Sequence, residues 1–235
     1  MFNKIVLGIV LFQFIFLLNL KSKVEALEFE KQNSAFQQEN TLIISSINEI
    51  NDRLKFVEDG IPEITKRNAR VNVIKEIVKE NIRVLKVNNF KSDHEFNEYT
   101  FAVLEYSELY KVPVSLILAV SRAESNFNSR AISKTRAKGI MQIVDTTMDF
   151  CSSNLNKAKQ DAFYVRDSVQ CGTWYLKYLT KMFDGDINLA IKAYNAGPNF
   201  ILKFNGENLP AETIGYHENV VAFMNGFKER IRWER

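Results

Sequence analysis

Between Ile43 and Leu85 the apolar residues recur at steps of three and four. Ile43, Ile47, Ile50, Leu54, Val57, Ile61 and Ile64 form one such series, and Val71, Ile74, Val78, Ile82 and Leu85 a second. Such a period places a single apolar stripe along a helix and cannot line one face of a strand. It returns in Phe96, Tyr99, Val103, Tyr106 and Tyr110, and Val165, Val169, Leu176 and Leu179, with Tyr175 beside them, again share one helix face. No alternating segment of any length interrupts the pattern. Only 9 glycines and 4 prolines punctuate the 235 residues, too few turn-formers for a many-stranded protein. The expected fold class is all-α.

The first series has the a/d register of a coiled coil. Gly60 and Pro62 interrupt it, and Pro62 is expected to kink or end the helix, because proline lacks the donor and crowds the preceding turn. Two readings stand for residues 27–92. They form a helical extension that self-associates or meets a cell-envelope partner through residues 27–90, or their helices pack on the domain that follows. That domain is expected over residues 93–235. Asp93 opens its first helix and Lys111-Val112-Pro113 breaks it, with Pro113 at the first position of the next. Further helices are expected over Asp161 to Phe183, over Ile187 to Tyr194 with Asp186 as cap, and from Thr213 to Trp233.

Ahead of all this, Lys4 precedes an apolar run from Ile5 to Leu20, closed by Lys21 and Lys23. This is the shape of a secretory signal, with Val24-Glu25-Ala26 as an exit site. Residues 1–26 are read as a cleaved signal or as an anchor held by residues 5–20. Either way the remainder is exported, and periplasmic or membrane-anchored. Cys151 and Cys171 suit that address. They form a disulfide worth ~3 kcal/mol by loop entropy, or remain two buried thiols. His94 and His217 are the only histidines. Neither has ligand spacing from a cysteine, so no metal site is expected. The formal charge of +3 is too small to suggest a nucleic-acid partner. Lys134, Arg136 and Lys138 form the tightest basic group, read as a solvated loop or as a rim meeting peptide carboxylates.

The chemistry begins at Glu124. It lies seven and four residues beyond Ile117 and Val120, and so on the same helix face. A carboxyl group on an apolar face is desolvated, which favours its neutral form and raises its pKa. A carboxylic acid still protonated near neutral pH can protonate a leaving oxygen. Downstream stand Gly139-Ile140-Met141-Gln142, then Ala193-Tyr194-Asn195-Ala196-Gly197, then Glu212-Thr213 with Tyr216 one turn on. Taken singly, Gly197 is a helix stop, Glu212 complements a helix N-terminus, and Met141 is a core residue.

In this order and spacing, the four motifs resemble the catalytic domain of the soluble-lytic-transglycosylase type. These are lysozyme-like enzymes that cut the glycan strands of bacterial peptidoglycan. The stretch AVSRAESNFNSRA (119–131) followed by GIMQI (139–143) is similar to the family's catalytic helix and loop. The resemblance implies that Glu124 is the single acid and then the base. Ser125 would contact substrate or hold the Glu, and Met141 and Gln142 would line the cleft. Tyr194 and Asn195 would bind the N-acetyl sugar or position Glu124, with Glu212 and Tyr216 at the border. No cofactor is implied. The product implied is a 1,6-anhydromuramyl end, formed at the bond between N-acetylmuramic acid and N-acetylglucosamine. Asp145 near a usual Pro, Ser168 for a usual Asn and His217 for a common Val depart from the family's pattern and bear on subsites. Two other readings stay open, a lysozyme-like muramidase on the same fold and a non-catalytic wall-binding scaffold.

Overall fold

The computed structural model describes residues 37–85, 89–158, 160–204 and 208–234, with the side chains of 37–47, 54 and 56–59 excepted. The expected signal or anchor, residues 1–26, lies outside the described residues. Among the described residues the elements are helices: α1 (Gln37–Leu85), α2 (Asp93–Tyr110), α3 (Val114–Ser125), α4 (Asp145–Asn154), α5 (Val165–Met182), α6 (Ile187–Ala196), α7 (Pro198–Phe204), α8 (Ala211–Arg230) and a final 3-10 turn, Arg232–Glu234. Two isolated bridges, Ile132 with Lys138 and Lys138 with Ile143, are the extended pairings. None of these helices is long and apolar enough to cross a membrane.

The chain divides into two units, Met1–Ile64 and Thr65–Arg235. In the first, of the expected kink or end at Pro62, the end does not occur: α1 runs through Pro62. Pro62 is exposed, so the carbonyl deprived of its partner can turn to water, as in other proline-containing helices. Of the heptad seam, Ile50 is half-buried, and Ile61 and Ile64 are exposed at 41% and 62%. The side chains of Ile43, Ile47, Leu54 and Val57 lie outside the description.

In the second unit the later stripe of α1 is buried. Val71, Ile74 and Val78 join the core with Ile77, while Ile82 is half-buried at its edge. The same core takes the inner faces of α2 and α3, the loop after α3, and parts of α5 and α8, with Tyr99, Ile117, Phe127 and Leu176 among its buried members. A satellite core under α6 and α7 gathers Leu179, Phe183, Ala190 and Ile201.

Several helix ends differ from the sequence expectation. Pro113 sits one residue before α3, as its cap. It offers no side-chain acceptor, and the Glu234 carboxylate takes that role instead, accepting from the Val114 and Ser115 amides. A negative charge there also complements the helix dipole. The expected helix from Asp161 begins at Val165, because Asp161 spends its carboxylate on the Phe163 amide and turns the chain first. Asp186 caps α6 through the Asn188 and Leu189 amides. Cys151 of α4 and Cys171 of α5 are disulfide-bonded, with Cα atoms 5.5 Å apart.

Candidate active site

Glu124 is the penultimate residue of α3, and everything before it explains its position. Val114 to Ser121 are buried without exception, so α3 is a core helix whose last turn emerges at a surface. Asn126 and then Phe127 take left-handed backbone, and Phe127 is driven fully into the core. The chain therefore leaves α3 abruptly and strands the Glu124 carboxyl in a half-buried position.

Two things act on that carboxyl. Burial strips water from the charged form and pushes its pKa up to about 7, and a hydrogen bond from Tyr216 partly opposes this. The Tyr216 hydroxyl, on α8 and 92 residues away in sequence, donates to Oε1 at 2.6 Å. Its own pKa is raised well above the ordinary value, first by burial and then by the Glu124 charge, so it remains a donor. The nearest cation in sequence is turned elsewhere. Arg122 bonds to Asn81 of α1 and lies over the Phe223 ring, 4.1 Å from its centroid. Residues two apart on a helix face different sides, which keeps a guanidinium from restoring Glu124 to the carboxylate form.

The 139–143 loop forms the adjoining wall. Gly139 has φ +76, and a Cβ there would meet the Ala162 carbonyl oxygen at 1.8 Å. No side chain fits, so the turn requires glycine on both counts. Gln142 has left-handed φ, and its amide nitrogen donates to the Gly139 and Ala131 carbonyls at 2.9 and 3.1 Å. It thus closes the loop on itself. Ser125 has a similar office. Its hydroxyl lies 2.7 Å from the Ile140 carbonyl and accepts from the Asn128 amide, so it joins the end of α3 to the loop and makes no bond to Glu124.

Read singly Met141 is a core residue, and the family resemblance points it toward the sugar. Its side chain is instead wholly buried, in the core. The cause is Gly172 on α5. A Cβ at that glycine would approach the Met141 sulfur at 2.6 Å and the Tyr194 hydroxyl at 3.0 Å. Gly172 leaves the hole that Met141 fills. What Met141 presents to the site is backbone: its carbonyl accepts from the Tyr194 hydroxyl at 2.9 Å, and its amide lies 3.3 Å from Ser168 Oγ. Ser168 therefore has a definite task at the position where the sequence departs from the family's pattern. Gly172 matches the family's glycine in the sequence but was not read there as a site residue, and the structure gives it this packing role. Its signal was available, since a glycine in mid-helix costs about 1 kcal/mol relative to alanine and is retained where something must come close.

Tyr194 stands at the end of α6. Burial and the Glu124 charge both raise its pKa, which marks it as a neighbour of the acid. Asn195 follows it, half-buried. Glu212 is exposed in the first turn of α8, one turn before Tyr216. The structure thus gathers Glu124, Tyr216, Tyr194 and the 139–143 loop into one wall. Ser125 lies behind that wall, Met141 packs beneath it, and Glu212 is exposed one turn before Tyr216.

A helical domain with one desolvated carboxyl group at the end of a core helix, held by a tyrosine from the last helix, is the lysozyme-like class of architecture. Residues 101–213 match the family described as the Transglycosylase SLT domain, and the chain carries a domain of that family. Among solved structures, the chain is similar to the 70 kDa soluble lytic transglycosylase of Escherichia coli (20% identity, TM-score 0.55, covering 70% of this chain and 30% of that one). It is also similar to an inactive mutant of the lytic transglycosylase Slt of Pseudomonas aeruginosa (23% identity, TM-score 0.52, 56% of this chain and 24% of that one). A complex of the 70 kDa enzyme with bulgecin A aligns at 24% identity and TM-score 0.50, over 56% of this chain and 25% of that one. The chain spans less than a third of the length of each of these structures.

Proposed function

We propose that this protein is a peptidoglycan lytic transglycosylase in which Glu124 alone serves as acid and base. The observation that carries the reading is the state of that carboxyl group: burial lifts its pKa to about 7, and Tyr216 occupies Oε1. Oε2 is left to carry the proton. What acts on the group is burial and a neutral hydroxyl, which suits a mechanism without a second carboxylate.

In the first step the Glu124 proton passes to the glycosidic oxygen between N-acetylmuramic acid and N-acetylglucosamine. The C1–O bond breaks, and the glucosamine end leaves as an alcohol. The acetamido oxygen of the muramyl sugar stabilises the positive charge at C1. Glu124, now a carboxylate, is stabilised by the Tyr216 hydrogen bond. It then accepts the proton of the C6 hydroxyl as that oxygen bonds to C1, which closes a 1,6-anhydro ring and restores the acid. The attack is intramolecular, so positioning supplies much of the rate. Tyr194, Asn195, Gln142 and Glu212 are assigned to the sugar-facing surface of the cleft. Ser125 and Met141 support the wall from behind. An enzyme with this substrate works outside the cytoplasm, as the apolar run of residues 5–20 and the disulfide suggest. In residues 27–90 the exposed Ile61 and Ile64 prolong the heptad seam, which supports self-association through this segment.

The test is mass spectrometry of the soluble fragments released from peptidoglycan sacculi. Anhydromuramyl ends from the native protein, absent with Glu124→Gln, are the expected result. Reducing ends would make the protein a muramidase, and binding without fragments would make it a scaffold.

A further inference from the structure

Within the unit Thr65–Arg235 a cavity of about 310 Å³ lies between the end of α1, the Arg122 side chain of α3 and the second half of α8. The mechanism above makes no use of it. Residues 122 and 124 are two positions apart, about 200° around a helix. The cavity therefore opens on a different side of α3 from the Glu124 carboxyl group.

Arg122 supplies the charge of this cavity. Its Nη1 donates to Asn81 Oδ1. Asn81 is buried, and its own amide nitrogen donates to the Ile77 carbonyl at 2.7 Å, which holds the amide oxygen toward Arg122. The Phe223 ring covers the guanidinium, 4.1 Å from its centroid. Nε is buried without a hydrogen-bond partner. Burial lowers the pKa of the group, yet an arginine keeps its charge. Both neighbours are neutral, and among the described residues no carboxylate pairs with it. Glu80, the carboxylate that lines the cavity, is paired with Arg230 at 2.8 Å. A desolvated cation needs a counter-charge, and here the fold supplies none.

The remaining wall is apolar. Val84, 66% exposed, faces Phe223 and Phe227 across the cavity. Gly226 lies between those two on α8. Glycine is a poor helix former and is retained in a helix where something must come close. At Gly172 that something is Met141. At Gly226 no neighbouring group lies within 4 Å of where a Cβ would stand. The room it leaves is open to a ligand.

We propose that this cavity binds the C-terminal residue of a peptide, with its α-carboxylate on Arg122 and an apolar side chain against Val84, Phe223 and Phe227. One unpaired guanidinium matches one carboxylate, in a planar geometry suited to two parallel hydrogen bonds. The volume is at the lower end of the ~300–1,000 Å³ of ligand pockets, which suits one compact residue and not a long acyl chain. The Glu80–Arg230 pair is half-exposed and adds no net charge. It offers an acceptor and a donor to the peptide bond before the terminal residue. The site stands apart from the proposed chemistry and does not rest on it.

The test is calorimetric titration of the full chain with N-acetyl-L-phenylalanine. Saturable one-site binding in the millimolar range is the expected result, as for a ligand of this size. N-acetyl-L-phenylalaninamide, the same body without the charge, should bind about tenfold more weakly or worse. Octanoate, a charge without the compact body, should do the same. Arg122→Met should weaken the acid about tenfold and leave the amide unchanged, a difference that a merely structural arginine would not produce. Gly226→Leu fills the cavity. It should abolish binding and raise the thermal midpoint, because leucine is the better helix former. It meets no neighbour, so it keeps the test decisive where Arg122→Met fails to fold. Equal affinity for acid and amide, equal affinity for octanoate, no saturable binding, or binding that survives Gly226→Leu would each overturn the proposal.

Discussion

Glu124 and Glu212 are both motif glutamates, and the structure treats them in opposite ways. Glu124 stands in the last turn of a helix, on a face continuous with buried Ile117 and Val120. Glu212 stands exposed in the first turn of another. The helix dipole disfavours a negative charge at the first place and favours one at the second. Burial pushes the Glu124 pKa up to about 7, with the Tyr216 hydrogen bond partly opposing it. Chemical identity alone therefore does not make the acid. The end of the helix on which a carboxyl group sits, and the depth at which the chain leaves it, decide whether it is a proton donor or a surface charge.

The sharpest way to break this comparison is to neutralise each glutamate in turn. Glu124→Gln is expected to cost ~10²–10⁴-fold or more in kcat on sacculi, the range of a lost general acid. Retention of activity within tenfold of native would remove Glu124 from its role.

The same substitution should also act on stability, with a definite sign. The folded pKa lies above the unfolded value, so between about pH 4.5 and 7 the native state binds more protons and its stability falls as pH rises. Glu124→Gln escapes that loss. Relative to the native protein, it should therefore gain on the order of 2–3 kcal/mol between pH 4.5 and 8.5, as read from denaturant midpoints at the two values. Equal pH dependence of the two proteins would show that the carboxyl group is not desolvated.

Tyr216→Phe sharpens the comparison from the other side. The lost hydrogen bond stabilised the carboxylate, so the pKa should rise and the falling limb of the pH–rate profile should move to higher pH. The maximal rate should drop by about tenfold, the worth of a hydrogen bond to a charged group. A limb displaced toward lower pH would contradict the assignment. The smallest effect belongs to Glu212→Gln, with stability within roughly 0.5 kcal/mol of native, as for other surface changes.

Much of this site was legible in the sequence because its signals are local. The period of three and four gave α2, α3 and α5, and the shared face of Ile117, Val120 and Glu124 needed only helix geometry. Asp186 announced the start of α6. What could not be read were the consequences of long-range packing. The bond from Tyr216 to Glu124 spans 92 residues. The burial of Met141 depends on a hole left by Gly172 on another helix, and the cap of α3 comes from Glu234 at the far end of the chain. Pro62 was expected to kink or end α1 because a missing donor looks decisive in sequence, yet at an exposed position the rest of the helix ladder carries the chain past it.

The most direct measurement is a carboxyl-carbon NMR titration of the glutamate side chains, with Glu124→Gln used to identify the Glu124 resonance. A midpoint near 7 for that signal is the expected result. A midpoint near 4.5 would leave Glu124 ionised at neutral pH and contradict the claim that burial at the end of α3 makes it the acid.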